Sequence, residues 1–150
     1  MEIRFAKGQD VPGIIKLLKQ VGSVYHAGRP DLFRGNAQKY GPSQVLEMLG
    51  KSDDPIFVAV EEETVLGYGF CTLETYHQNS VMKDRITLHV SDLWAPDPVG
   101  VALYEKILEY AKYRGCYDVT MDVWCCNEET VKFCEALGMK PQKIAMAAVL

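Results

Sequence analysis

Within the stretch RITLHVSDLWAPDPVGVALYEKILEYAKYRG, residues 85–115, three features could do chemistry. His89 carries an imidazole, the one side chain that ordinarily titrates near neutral pH, and so suits taking a proton and giving it back. Asp92 is a carboxylate that would draw a cation. After the turn PDPVG a long helical pattern begins, and a helix start offers unpaired N–H groups and a positive dipole to an anion such as a phosphate. Each has a plainer reading. His89 could be a half-exposed strand histidine, and Asp92 could accept backbone N–H groups at an irregularity of the strand. The turn is also short for holding a phosphate: Pro96 and Pro98 remove two N–H donors, and Asp97 puts a negative charge where an anion would lie.

Further candidates lie elsewhere. The stretch YHAGRPDLF contains Tyr25, His26, Arg29 and Asp31, and long loops of mixed charge are often functional. Arg29 could grip a carboxylate through a two-point contact; equally, it could pair with Asp31 on the surface. Cys134 sits in the helical pattern NEETVKFCEALG, in line with Thr130 and Leu137, where a small buried hydrophobe is the plainer reading.

The elements that must position these residues follow from periodicity. IRFA reads as a short strand. Asp10 is expected to cap a helix that carries Pro12 in its first turn, Ile14, Ile15, Leu17, Leu18 and Val21 on one face, and ends near Gly22. A polar loop follows, then a short helix, SQVLEML, ending at Gly50. IFVAV and TVLGYGFCTLET read as a hairpin, with Gly67 and Gly69 marking a bulge or the close approach of another backbone. In RITLHVSDLWA the alternation of Ile86, Leu88 and Val90 breaks at Leu93-Trp94, as at a bulge. The helix from about Val99 to Arg114, the strand YDVTMDVWC, a helix capped by Asn127 and a closing strand, KIAMAAVL, complete the order. The closing strand–helix–strand–helix–strand run implies a right-handed parallel crossover. The whole is expected to be one domain, 1–150, of α/β (α+β) class: a mixed, mostly antiparallel sheet with helices on both faces.

Composition narrows the function. A chain of 150 residues is long enough to bury a single core. Sixteen Lys and Arg against 20 Asp and Glu give a net charge of −4, which argues against a nucleic-acid surface. No apolar run is long enough for a membrane span, and the N-terminus lacks a secretory apolar core. The five cysteines show no framework spacing and read as reduced thiols of a cytoplasmic protein. No converging C-x-x-C or H-x-x-H pair occurs, so no metal is expected.

Taken in order, several pieces carry a resemblance. IFVAVEEETVLGYGFC resembles the paired second and third strands of the GNAT superfamily of N-acetyltransferases, DLWAP the end of its fourth strand, and VGVALYEKILEYAKYRGC its coenzyme helix. VTMDVWCCNEETVKFCEALGMKP resembles its strand–helix block V-x-x-x-N-x-x-A-x-x-F-Y-E-x-x-G-F, the most specific piece. The resemblance spans essentially the whole chain. It implies transfer of an acetyl group from acetyl-CoA to an amine, on a fold whose splayed parallel strand pair holds the coenzyme. The backbone at Leu93, Trp94 and Ala95 would pair with the pantetheine arm like an added strand. Val99, Gly100, Val101 and Ala102 would hold the pyrophosphate, and Asn127 would sit near the pantetheine.

Two departures from the family pattern stand out. The family places R-G-x-G-x-G or a close relative before its coenzyme helix; here the arginine and the earlier glycines are absent, and roughly five residues are lacking between Pro98 and Val99. The intact flanks favour a mobile loop that exists in the molecule but is lacking from the sequence; the alternative is a true deletion that cripples the coenzyme site. Cys134 stands where many members have a tyrosine that protonates the departing thiolate, a role a thiol could fill in principle.

The reading is thus an N-acetyltransferase acting by direct attack on a primary amine of a small molecule or peptide. His89 and Cys134 are its candidate catalytic residues; Tyr25, His26, Arg29 and Asp92 are candidates for the acceptor site. The alternative is a catalytically impaired GNAT-fold binding or acyl-CoA-sensing module. IAMAAVL, apolar on both faces, is expected to be covered inside the sheet or across a homodimer interface.

Overall fold

The computed structural model describes residues 1–150. Five strands form one sheet in the order β1 (Glu2–Phe5), β2 (Ile56–Glu61), β3 (Thr64–Tyr76), β4 (Arg85–Trp94) and β5 (Asp118–Met121). All neighbours run antiparallel except β4 and β5, which are parallel, as the crossover demands. Helix α1 (Val11–Gly28) and α2 (Pro42–Leu49) cover one face; α3 (Val99–Tyr113) covers the other, and α4 (Glu128–Ala136) follows β5. No helix is long and apolar enough to cross a membrane.

The alternation within the strands splits the core in two. Val58, Val60, Tyr68 and Phe70 point to α1, where Ile14 and Leu18 meet them. Phe57, Ala59, Leu88 and Val90 point to α3, against Leu103, Ile107 and Ala111. Removing these side chains from water on both faces is the main force that fixes the sheet between its helices.

Several local expectations are corrected. Helix α1 does not stop near Gly22 but runs to Gly28, taking in Tyr25 and His26. Gly22 is needed there for another reason: a Cβ on it would stand 1.6 Å from the carbonyl oxygen of Ala37, so the following loop lies directly on the helix. The Asp10 side chain does not cap α1. Its carboxylate is buried and takes two hydrogen bonds from the Arg4 guanidinium, at 2.7 and 3.1 Å, and one from the Lys7 N–H at 2.7 Å. An arginine two residues into β1 competes for it, and a bidentate charged partner beats a helix N–H. KIAMAAVL forms no strand: residues 139–150 belong to no element, and residues 141–150 are exposed throughout.

The β2–β3 turn places Glu62 and Glu63 at φ 48° and 65°, left-handed conformations that cost a side chain. Such a turn prefers Asn-Gly. The double replacement Glu62→Asn, Glu63→Gly is expected to raise stability by about 1 kcal/mol, read from the urea midpoint at constant m-value. An unmoved midpoint would mean that the turn carries no strain.

The largest correction concerns the helix start. The Pro98 carbonyl accepts from the N–H groups of Val101 (3.2 Å) and Ala102 (3.3 Å), so Pro98 directly precedes α3 and no loop lies between Pro98 and Val99.

Candidate active site: a split between two parallel strands

Strands β4 and β5 pair from Thr87–Asp118 to Val90–Met121 and then part. Beyond that point β4 continues to Trp94, paired only with β3. Its other edge, over Ser91–Trp94, has no strand partner. The gap opens into a cavity of about 110 Å³ lined by Tyr25, Asp92, Leu93, Trp94, Trp124 and Asn127, among others. Gly67 makes room behind it, since a Cβ there would stand 2.5 Å from that of Ala95.

A bulge decides which side chain faces the cavity. Cys71 is opposite Val90, while its neighbour Phe70 is opposite Asp92, leaving Ser91 as the extra residue. Without the bulge, Asp92 would share the α3 face with Val90. With it, Asp92 turns to the α1 face, beside Tyr68. Sequence periodicity placed the irregularity at Leu93-Trp94; the structure places it at Ser91.

Asp92 is buried. Burial pushes its carboxyl above the usual carboxylate range, against the opposing pull of Lys39 and of hydrogen bonds from Tyr68, the Leu93 N–H and Tyr25. The Tyr68 hydroxyl donates to Asp92 Oδ2 at 3.1 Å. Burial and the neighbouring carboxylate push both phenols, Tyr25 and Tyr68, well above their ordinary value, so they stay protonated donors. Lys39 Nζ donates to the Ser91 carbonyl, and the Tyr40 hydroxyl lies 3.2 Å from Ser91 Oγ. With Asp122 and Glu129 also on its wall, the cavity is acidic.

The other candidates are distributed around this point. His89 pairs with Thr120 in the last stretch before the strands part; its Nδ1 lies 2.8 Å from Thr120 Oγ1 and its Nε2 3.7 Å from Asp122. It stands below the cavity, not on its wall. His26 Nδ1 holds the Phe33 carbonyl at 2.8 Å. Arg29 grips Asp31 through two hydrogen bonds of 2.8 Å on the surface. Cys134 is buried with its Sγ 3.7 Å from the Met121 sulfur, and burial pushes its thiol up. Asn127 Oδ1 caps α4 by accepting from the Thr130 N–H at 3.4 Å, while the residue lines the cavity.

At α3 the first-turn donors are largely spent. Gly100 N–H goes to the Pro96 carbonyl at 3.1 Å, and those of Val101 and Ala102 to Pro98. Of the four residues singled out for a pyrophosphate, only Val99 keeps its N–H free of the backbone.

Sequence reasoning missed Tyr68, Lys39, Phe33 and Trp124. Phe33 stacks on Tyr25 at 5.1 Å and meets Trp124 edge-on at 5.3 Å, so the loop after α1 roofs the cavity. The aromatic residue in PDLF was the available signal. Nothing local marked Tyr68, which reaches Asp92 only through strand pairing.

Comparison with solved structures follows this geometry. An aminoglycoside N-acetyltransferase in complex with CoA superposes with a TM-score of 0.74 over 99% of this chain and 98% of its own, at 14% identity. The glucosamine-6-phosphate N-acetyltransferase of Arabidopsis thaliana gives 0.71 over 99% and 97%, at 20% identity. The chain has the GNAT fold. The parting of β4 and β5 is the splayed parallel strand pair that the sequence resemblance implied. A tetramutant of a Bacillus halodurans protein matches more tightly, with a TM-score of 0.94, 29% identity and all of both chains covered. No family model and no curated protein matches the sequence.

Proposed function

We propose that the chain is an N-acetyltransferase that acetylates a primary amine of a small molecule or peptide by direct attack, using acetyl-CoA. The observation that carries this is the unpartnered edge of β4 opening on a buried carboxylate. Acetyl-CoA supplies an activated acetyl thioester. The main-chain groups of Leu93, Trp94 and Ala95 suit its pantetheine arm, with Asn127 on the opposite wall. The diphosphate end fits less well, because the helix start has spent its donors and Asp97 adds a like charge.

The residues of the chain supply the proton chemistry. An amine reaches the site as an ammonium, drawn by Asp92, Asp122 and Glu129. Asp92, with its carboxyl raised by burial, takes the proton as general base. The freed amine would then form its C–N bond at the thioester carbonyl as the C–S bond breaks, and CoA would leave as a thiolate that takes its proton from solvent. Tyr68 and Tyr25 fix the orientation of the carboxylate by donating to it, and Lys39 balances its charge. This assigns Asp92 the role for which the sequence offered His89, since only Asp92 lines the cavity. Cys134, turned to Met121, packs the wall instead of donating to a thiolate. With Arg29 committed to Asp31, the acidic wall favours a cationic acceptor over one bearing a carboxylate. The enzyme works as a homodimer in the cytoplasm, a setting supported by five free cysteines.

Calorimetric titration tests this. If the seam holds the coenzyme, acetyl-CoA and S-acetylpantetheine should bind within about 10-fold of each other, about 1.4 kcal/mol. A gap beyond 100-fold would return the diphosphate to the helix start. Absence of binding by either would sink the enzyme reading. Binding of both without acetylation of any amine in a panel of polyamines and aminoglycosides would favour an acyl-CoA-sensing module; the spent donors at α3 instead favour a catalytically impaired binding module, which would bind acetyl-CoA weakly.

A further inference from the structure

The turn between β5 and α4 holds two thiols that the proposed reaction does not use. Trp124, Cys125, Cys126 and Asn127 form one four-residue turn, closed by the Asn127 N–H donating to the Trp124 carbonyl at 2.9 Å. Cys125 and Cys126 are its two central residues, and both are exposed. The end residues, Trp124 and Asn127, line the cavity, and Trp124 meets Phe33 of its roof. Cys126 is also seated on the end of α1, since a Cβ on Gly28 would stand 2.9 Å from its Sγ.

The other three thiols are withdrawn from oxidants. Cys71 and Cys134 are buried and Cys116 is half-buried. Burial pushes the Cys71 thiol up to about 12 and raises those of Cys134 and Cys116 as well. A thiol held protonated is a poor nucleophile. Two adjacent exposed thiols are a different case. Their Cα atoms lie about 3.8 Å apart across a trans peptide, short of the roughly 4.4–6.8 Å that a disulfide spans. A bridge between such neighbours is strained and easily reduced, which suits a reversible device and not a staple. Drawing the two Cβ atoms to about 3.8 Å also turns ψ of Cys125 and φ of Cys126 away from turn values. The hydrogen bond that closes the turn is then lost.

We propose that Cys125 and Cys126 form a reversible oxidation site, at which a hydroperoxide closes a vicinal disulfide and so opens the Trp124–Asn127 turn and the cavity wall it carries. In the first step the thiolate of one cysteine attacks a peroxide oxygen. The S–O bond forms, the O–O bond breaks, and the leaving alkoxide or hydroxide takes a proton from solvent. The second thiol then gives its proton to solvent and attacks the oxidised sulfur. The S–S bond forms, the S–O bond breaks, and the hydroxide leaves and is protonated to water. The two thiols lose two electrons and the peroxide gains two. A small dithiol reverses the step by exchange and is itself oxidised to a disulfide. The effect on coenzyme binding rests on the acetyl-CoA reading; the oxidation does not.

Hydrogen peroxide added to the unaltered protein is expected to lower its intact mass by about 2 Da and to remove two of the five free thiols, both changes reversed by dithiothreitol. Cys125→Ser and Cys126→Ser should each abolish that mass loss, and Cys116→Ser should leave it in place. In the oxidised protein the Asn127 amide should exchange with deuterium at least about 10-fold faster. S-acetylpantetheine should bind it at least about 10-fold more weakly than the reduced protein. No mass loss, a loss that survives Cys125→Ser or depends on Cys116, or covalent dimers in its place would overturn the site. An oxidised protein whose Asn127 amide exchanges as before would overturn the opening of the turn. Faster exchange with unchanged binding would overturn its hold on the cavity. If the reduced protein binds no S-acetylpantetheine, the coenzyme reading fails alone, and mass and exchange still decide the switch.

Discussion

Asp92→Asn is expected to lower kcat by about 100- to 10,000-fold, the range of a lost general base, while the protein remains as stable as before or becomes more so. The amide keeps the volume and can still accept from Tyr68. What it cannot do is take a proton. The stability half of the prediction follows from the sign of the shift. Burial raises the Asp92 carboxyl in the folded state, so the folded chain holds that proton more tightly than the unfolded one. Stability contributed by this group therefore falls as pH rises from the unfolded pKa through the folded one, and the charged carboxylate is a burden at neutral pH. Removing the charge relieves it. Activity should run the other way, rising with pH as Asp92 ionises, with that limb lost in the variant. A variant that loses stability and activity together would mark Asp92 as structural. An unchanged kcat would return the base role to His89, whose own replacement by Gln is the matching control.

The second large effect concerns stability at acid pH. Asp10→Ala is expected to destabilise the fold by about 3–5 kcal/mol at pH 7, because it leaves the Arg4 guanidinium half-buried without its partner. Burial pushes the Asp10 carboxyl up, but the Arg4 and Lys7 hydrogen bonds outweigh it and hold the group below its ordinary 3.8. A depressed folded pKa contributes stability above the unfolded value that is lost as pH falls through the folded one. The parent protein should therefore lose stability steeply below about pH 4, and Asp10→Ala should show a shallower slope there. Parallel slopes in urea unfolding from pH 5 to pH 2 would show that Asp10 is not the group responsible.

The Asp10 case shows how far local pattern reaches. An aspartate before Val-Pro and a helical apolar stripe is a sound cap by its neighbours alone. Arg4 lies six residues away in sequence, on a strand, and its claim on the carboxylate exists only after the strand and helix have docked. Asp92 repeats the lesson. Its place in the strand was readable, but its face was not, because one extra residue at Ser91 reverses every side chain beyond it. The same reversal brings it to Tyr68, 24 residues earlier in the chain. The helix start erred in the other direction. Family likeness argued for a loop before α3, and the hydrogen bonds of Pro98 show that none is there.

The sequence by itself determined the element order as far as α4, the helices on both faces of the sheet and the parallel crossover into β5, because burial periodicity and glycine and proline positions are local properties of the chain. The parting of β4 and β5 was implied by likeness and took its dimensions only from the strand register. Tertiary structure alone decided which carboxylate is buried, which aromatic residues roof the cavity and which N–H groups remain free at α3. It also decided that the final apolar segment finds no partner in its own sheet. These are outcomes of competition between groups distant in sequence, for the same hydrogen bonds and the same dry surface, and no window of neighbouring residues contains both competitors.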